Sequence, residues 1–483
     1  VREVELKLDV TPEAATVIAA TELLPGEGEL RQLDATYFDT ADRALCAAGF
    51  SLRIRTAADS RVQTVKADGD ASAGLFVRSE WEMDVAGDTP VLDHTTPIRA
   101  MLGERCEEIA PVFHVTVERR IWNVEEDGAQ IEVVLDRGHV RAGEREEPIC
   151  EIELELKSGQ PAALFSLARK LDAIGPMQIG VLSKSARGYR LTRKPRTAFK
   201  AEPVTLKPEM DAASAFQHIA QACLRQFRLN EAAVLATRAP EALHQARVAL
   251  RRLRSAFSIF APLYEGDEQA ALLRQELRAI AAILGEARNL DVLIARGASG
   301  AVQDRLRSAR EEAYANVDAA LASPKARALI LDLMEWLAIG SWLSAVQGDG
   351  AEPARSFARA ALDRYRRKVK KGGRRLKKAD DEARHDLRKN AKKLRYAAEF
   401  FATLFANKKA RRRYKRFIAA LEDMQDHLGV LNDLATAPAE IAKLGLDDDP
   451  EAQALLGTQA KPALLAAAAE AHEVFADTKR FWR

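Results

Sequence analysis

The residues Glu3-Val4-Glu5-Leu6-Lys7 place carboxylate, carboxylate and ammonium at every second position, and no other pattern constrains the fold of this chain as sharply. On an extended strand, side chains i, i+2 and i+4 share a face, so the three charges point one way while Val4, Leu6 and Leu8 point the other. A solvated edge strand accounts for one such segment. The pattern recurs, however. Ser51 to Arg55 sends Arg53 and Arg55 to one face, Val62 to Lys66 ends on a lysine, and Arg78-Ser79-Glu80-Trp81-Glu82 carries one base and two acids. Val115 to Trp122 holds Arg119 and Arg120, Glu132 to Asp136 adds two acids, and Glu151 to Lys157 restates the opening scheme. Gly, Asp and Pro signals separate these segments, as expected of an antiparallel β domain. Strands of this kind satisfy one another when the sheet curls into a barrel, apolar faces under helices and charged faces lining the lumen.

A dry lumen of unpaired charges would cost several kcal/mol per ion. Mixed signs, water and a highly charged ligand make it feasible. Arg53, Arg55, Lys66, Arg78, Arg119 and Lys184 suit a chain of phosphates. Glu3, Glu5, Asp136, Glu151, Glu153 and Glu155 would repel phosphate unless a hard divalent cation stood between them, and Mg²⁺ or Mn²⁺ takes oxygen from carboxylate and phosphate together. The residues alone therefore describe a metal-dependent tunnel for a polyphosphate-like substrate. His94, His114 and His139 lack ligand spacing and read as surface or packing histidines.

Taken in order, Glu3 to Lys7, Tyr37-Phe38-Asp39-Thr40, Leu52 to Arg55, Thr64-Val65-Lys66, Arg78 to Glu82, Leu135-Asp136-Arg137-Gly138, Glu151 to Glu155 and Ser183-Lys184-Ser185 resemble the CYTH, or triphosphate tunnel metalloenzyme, superfamily. That superfamily includes class IV adenylate cyclases, thiamine triphosphatases and inorganic triphosphatases. The resemblance implies an eight-stranded antiparallel tunnel over residues 1–197. In it Arg53, Arg55, Lys66, Arg119 and Lys184 grip phosphates, with Arg120 competing with Arg119. Glu3, Glu5, Asp136 and two of Glu151, Glu153 and Glu155 place the metal. Lys7, with Glu3 and Glu5, stands at the reacting phosphate or the attacking water.

Residues 198–209, rich in Lys and Pro, read as a linker. From 210 to 483 the period is helical, with breaks near Gly266, Gly297 to Gly300, Pro324, Gly348 to Pro353, Gly372-Gly373 and Asp447 to Pro450. The region repeats itself. His244-Gln245-Ala246-Arg247 with Arg251-Arg252-Leu253-Arg254 answers His385-Asp386-Leu387-Arg388 with Lys392-Lys393-Leu394-Arg395, and Leu284-Gly285 answers Leu428-Gly429. At about 100° per residue, His244, Arg247, Arg251 and Arg254 form a cationic row beside an apolar stripe of Ala246, Leu250, Leu253, Phe257 and Phe260; His385, Arg388, Lys392 and Arg395 do the same beside Leu387, Ala391, Leu394, Ala398 and Phe401. Like charges at i and i+4 weaken a helix by a few tenths of a kcal/mol, so a row this free of acids points to a polyanion. Lys or Arg at 364–378 and 408–416 extends the basic surface.

These helices resemble the CHAD, or conserved-histidine α-helical, domain. The resemblance, which rests on both His-x-x-Arg helices and both Leu-Gly turns, implies two pseudo-symmetric four-helix bundles, with His244, Arg247, Arg251, Arg252, Arg254, His385, Arg388, Lys392, Lys393 and Arg395 binding inorganic polyphosphate. Metal binding by the two histidines is disfavoured, since neither has a partner at ligand spacing.

The fold class expected is thus multidomain α+β. The net charge of +2 conceals the segregation of acids into N-terminal strands and bases into C-terminal helices. Four scattered cysteines form no disulfide or zinc framework and fit a reducing compartment. With Asp332 and Glu335 interrupting the apolar 329–346 region, the expectation is a soluble cytoplasmic protein, free or associated with polyphosphate granules, and no membrane partner. The leading expected function is metal-dependent hydrolysis of inorganic triphosphate or a related triphosphate, with polyphosphate held by the helices. A class IV type adenylate cyclase and a non-catalytic polyphosphate module are the alternatives. Nucleic acid is disfavoured because no stacking aromatics accompany the cations.

Overall fold

The computed structural model describes residues 2–57, 60–67, 74–297, 299–346, 351–455 and 461–483; the side chains of residues 2, 3 and 76–78 lie outside that description. The chain divides into two compact units, residues 1–197 with 324–339, and residues 198–323 with 340–483.

The first unit is built on strands β1 (Arg2–Val10), β2 (Glu29–Asp39), β3 (Phe50–Ala57), β4 (Ser60–Ala67), β5 (Leu75–Asp84), β6 (Ala110–Glu126), β7 (Ala129–Ala142), β8 (Arg145–Ser158) and β9 (Met177–Ile179). Their order is β5-β4-β3-β2-β6-β7-β8-β1-β9, and β1 also pairs with β5. Eight antiparallel strands therefore close into a ring, with the short β9 as an extra partner of β1. Period-two alternation drives this closure. Leu6, Leu8, Val133, Leu135, Ile152 and Leu154 are all buried on the outer side, where the helix Ala162–Ile174 covers β6 and β8.

Residues 324–339 depart from the expected division, which assigned them to the helical domain. The helix Pro324–Ile339 buries Leu329, Ile330, Leu333, Met334, Trp336 and Leu337 and packs against helix Ala162–Ile174 and β9. Arg169 pairs with Asp332 at 2.7 Å and with Glu335, and Arg327 with Asp172 at 2.7 Å. The two acids that interrupt this apolar stretch thus have local partners. By length and composition alone, Pro324–Val346 is the one described stretch apolar enough to cross a membrane; about half of it is buried inside the structure.

In the second unit the long helices fall into two sets of four: Ala212–Thr237, Pro240–Ile259, Glu268–Ile294 and Gly300–Ala322, then Ala354–Gly373, Asp381–Phe400, Lys408–Lys443 and Lys461–Asp477. Asp211, Asp267, Asp380 and Asn407 cap four of them by accepting a backbone N–H. Both expected apolar stripes, Ala246 to Phe260 and Leu387 to Phe401, are fully or nearly fully buried. They meet in a shared aromatic core, where Phe260 stacks on Phe357 at 4.7 Å and meets Phe401 edge-on at 5.7 Å. Two expectations need correction. Leu284-Gly285 and Leu428-Gly429 lie inside helices rather than at turns. Segment 198–209 is no free linker: Phe199 exchanges hydrogen bonds with Asn230, Leu206 exchanges them with Thr403, and Val204 and Leu206 are buried.

Candidate functional site

The ring encloses a cavity of about 760 Å³. Register decides which acids meet at its wall. Asp136 of β7 stands opposite Arg119 of β6 and Glu151 of β8, while Lys7 of β1 stands opposite Glu153 and Glu5 opposite Glu155. Asp136, Glu151 and Glu153 consequently converge, with one ligand oxygen of each within 4.8 Å of the others. Asp136 and Glu151 are wholly buried. Glu155, one step along the strand, pairs instead with Lys157 at 2.7 Å, which also reaches Glu132 at 3.2 Å. Glu5 is buried and lines the same cavity. The backbone sets Glu3 opposite Arg78, but the side chains of both lie outside the described residues.

Three cations answer the three converging acids. Arg119 grips Asp136 in a bidentate fork, Nε to Oδ1 at 2.8 Å and Nη2 to Oδ2 at 2.6 Å, and reaches Glu153 at 3.3 Å. Lys184 Nζ lies 2.6 Å from Asp136, 2.5 Å from Glu151 and 3.1 Å from Glu153. Lys7 Nζ lies 2.9 Å from Glu151 and also pairs with Glu153. Burial alone would drive all six groups toward neutrality, yet mutual attraction wins. The Lys7, Lys184 and Arg119 pKa values rise, those of Asp136 and Glu151 fall, and that of Glu153 falls well below the ordinary carboxylate range, with Lys184 the foremost partner of all three acids.

The wall formed by β3 is different. Arg53 donates to the Tyr37 hydroxyl at 3.3 Å while its Nε is buried without an acceptor. Arg55 reaches Glu82 only at 3.5 Å, and the neighbouring Arg53 charge, then burial, brings its pKa down to about 10. Lys66 pairs with Glu80 at 2.9 Å. The cavity thus carries an acid cluster on one side and two crowded arginines on the other. Arg120 points away from it, lining a separate outer hollow with Glu118 and Arg137, so the structure prefers Arg119.

Glu132 and Lys157, which alternation with Asp136 and Glu155 turns inward but which were given no role at the site, line the cavity as well. Arg187, paired with Asp9 at 2.6 Å and Glu147 at 2.9 Å and 3.8 Å from Glu151, had no such signal, because it arrives from the short helix Lys184–Leu191.

In the helical unit, the helices Pro240–Ile259 and Asp381–Phe400 pack together, and Arg251 Nε donates to the Tyr396 hydroxyl at 3.0 Å. Among the described residues, no carboxylate comes within ion-pair distance of Arg247, Arg251, Arg254, Arg388, Lys392 or Lys393. Arg247 Nη1 and Arg388 Nε are buried without acceptors. A Cβ at Gly285 would stand 2.8 Å from Arg247 Nη1, so glycine there lets the guanidinium lie against the neighbouring helix. Burial first and adjacent cations second lower the pKa of Arg247 to about 10 and that of Lys392 to about 6. Burial, with Arg288 next, also lowers His244. His385 Nδ1 lies 2.8 Å from Asn432 Oδ1.

Two residues of the expected polyphosphate-binding set are engaged by acids instead. Arg252 is buried, pairs with Glu399 at 2.5 Å and lies over the Tyr396 and Phe400 rings at 5.6 and 4.9 Å. One residue on from Arg251, it has turned about 100° toward the facing helix. Arg395 pairs with Glu422 at 3.2 Å and Glu399 at 3.6 Å.

The CYTH domain family matches residues 1–189 and the CHAD domain family residues 218–442. The chain joins a CYTH domain to a CHAD domain. Over 204 residues it is 33% identical to an inorganic triphosphatase of Haemophilus influenzae, covering 40% of this chain and 56% of that relative. The chain therefore spans little more than half the length of that protein. An uncharacterized protein of Mycobacterium tuberculosis is 26% identical over 443 residues, 82% of each chain. The crystal structure of the CHAD domain from the plant Ricinus communis aligns with a TM-score of 0.49 and 29% identity, over 57% of this chain and 96% of that one. The CYTH domain here is the closed strand ring and the CHAD domain the paired helical sets.

Proposed function

We propose that the CYTH domain is a metal-dependent hydrolase of inorganic triphosphate and that the CHAD domain holds inorganic polyphosphate. The observation that carries the first part is the convergence of Asp136, Glu151 and Glu153, of which Glu153 lines one cavity together with Arg53 and Arg55. The acids fit a hard divalent cation: all donors are carboxylate oxygens, and Glu151 Oε2 is buried without a hydrogen-bond donor. Mg²⁺ or Mn²⁺ bound there supplies neutralisation of the charge that builds on the phosphates. Arg53 and Arg55 hold phosphate oxygens from the opposite wall and align the chain of phosphates along the cavity. Lys7 and Lys184 are long enough to turn from carboxylate to phosphate, and the charged lumen orients the water that attacks. The leaving phosphate takes the electron pair of the broken P–O bond, and the proton of the attacking water passes to solvent or a lumen carboxylate.

A panel of tripolyphosphate, thiamine triphosphate and ATP with Mg²⁺ and Mn²⁺, scoring phosphate and cyclic AMP separately, tests this. Phosphate released chiefly from tripolyphosphate is the expected result; cyclic AMP as the main product refutes it. Glu5→Gln and Glu153→Gln should each lower turnover at least a hundredfold while circular dichroism is retained. The second part rests on the cation row without acid partners, and is tested by competition between long-chain polyphosphate and DNA at matched salt. Tighter retention by DNA defeats it.

A further inference from the structure

Lys184 stands where three carboxylates converge, within 3.1 Å of an oxygen of each. The group is balanced: Asp136, Glu151 and Glu153 against Lys7, Lys184 and Arg119, with Glu5 beside Lys7 and Arg187 beside Glu151 adding one charge of each sign at its margin. A divalent cation entering such a group adds two positive charges to a neutral set and meets an ammonium at its centre. In a site this buried, that repulsion is only weakly screened. Binding therefore requires either that the ammonium withdraw or that anionic charge arrive with the metal. The same cavity offers a place to withdraw to, because Lys184 lines it together with Arg53, Arg55 and Lys66. Lys184 is also the residue best placed to move. Arg119 is held by a bidentate fork, whereas Lys184, first residue of a short helix capped by Ser183, meets its acids through a single Nζ atom that no fork geometry fixes.

We propose that Lys184 is an internal counter-ion that yields Asp136, Glu151 and Glu153 to the metal only when a triphosphate supplies its ammonium with another partner, so that metal and triphosphate each strengthen the binding of the other. This rests on the triphosphatase reading above and adds to it an order of events: neither ligand alone fills the tunnel well. Such coupling is reciprocal and commonly amounts to about 5- to 150-fold in affinity. The effect belongs to the charge of the side chain and not to its bulk.

The test is Mn²⁺ binding to the full chain, read by electron paramagnetic resonance, with and without a non-hydrolysable imido analogue of tripolyphosphate and corrected for Mn²⁺ held by the analogue in solution. In the unaltered protein the analogue should tighten Mn²⁺ at least tenfold. Lys184→Met should bind Mn²⁺ at least tenfold tighter than the unaltered protein when no analogue is present, and the analogue should then add little. Lys184→Arg, which keeps the charge, should stay near the unaltered value. Should the Met variant fail to fold, Lys184→Gln, which can still donate to the carboxylates, replaces it with the same expectation. Unchanged or weaker Mn²⁺ binding in a folded neutral variant overturns the counter-ion role and leaves the triphosphatase reading standing. An unaltered protein that neither binds Mn²⁺ with the analogue nor hydrolyses tripolyphosphate overturns both.

Discussion

Lys184 in the tunnel and Lys392 on the second histidine helix are both shielded from water, and their surroundings drive them in opposite directions. Lys184 is surrounded by acids that hold its proton against the effect of burial. Lys392 is desolvated among Arg251, Arg388 and Arg395, with only Asp433 to offset them, and its pKa falls to about 6. The tunnel is a set of charges that already neutralise one another, so its ligands must rearrange existing pairs. The helical face is under-neutralised, so an anion brought to it completes what the fold leaves open. Both halves suit phosphate chains, one by exchange and the other by attraction.

The largest expected difference is in stability. Glu151→Gln removes an anion facing Lys7, Lys184 and Arg187 in full burial and should lower unfolding free energy by about 3–5 kcal/mol in urea denaturation. A loss under 1 kcal/mol would show the tunnel charges to be less dependent on one another than their distances indicate. Acid should act in the same sense. Asp136, Glu151 and Glu153 have depressed pKa values in the folded state, so their stabilisation is present above the unfolded carboxylate values near 4 and is lost as pH falls through the lower folded ones. Far-ultraviolet circular dichroism across an acid titration reads this, and Glu151→Gln should shift the transition.

For the helical face, the double variant Arg247→Gln/Arg388→Gln should weaken polyphosphate binding about tenfold or more and reduce the slope of log affinity against log salt by roughly one to two. An unchanged slope would mean that the row does not meet the ligand. A smaller effect concerns pH. The Lys392 ammonium is disfavoured until an anion arrives, so polyphosphate affinity should rise several-fold as pH is lowered from 8 toward 6, and Lys392→Arg should flatten that rise in isothermal titration calorimetry. Smallest of all, Arg251→Gln should leave the free protein equally stable or firmer by a few tenths of a kcal/mol, since it relieves like charges at i and i+4. The opposite signs expected for Glu151 and Arg251 are the sharpest way to break the comparison.

Much of this was legible in the sequence because alternation is local. Which residues of β1, β3, β6, β7 and β8 face inward follows from period two, and both apolar stripes follow from the helical period. Register is not local. That Glu151 and Glu153, and not Glu155, join Asp136 depends on how β8 slides against β1 and β7, which no single strand declares. Arg252 shows the same limit on a helix, where one step of rotation separates a ligand row from a buried ion pair with Glu399. The helix Pro324–Ile339 was read correctly as a helix, but its packing partners are set by surfaces more than a hundred residues away in sequence. Gly285 looked like a turn residue; its role is to give a guanidinium room.

That misplaced helix has a consequence for how the protein is made. A ribosome adds about 5–20 residues per second, so residues 324–339 emerge on the order of ten seconds after the last strand of the ring. During that interval the tunnel unit still lacks the helix that packs on Ala162–Ile174 and β9, while the first four long helices are already free to form. Order of synthesis therefore threads one fold through the completion of the other, and a nascent chain arrested before residue 324 should carry a tunnel unit that is sticky, incomplete and open to chaperones.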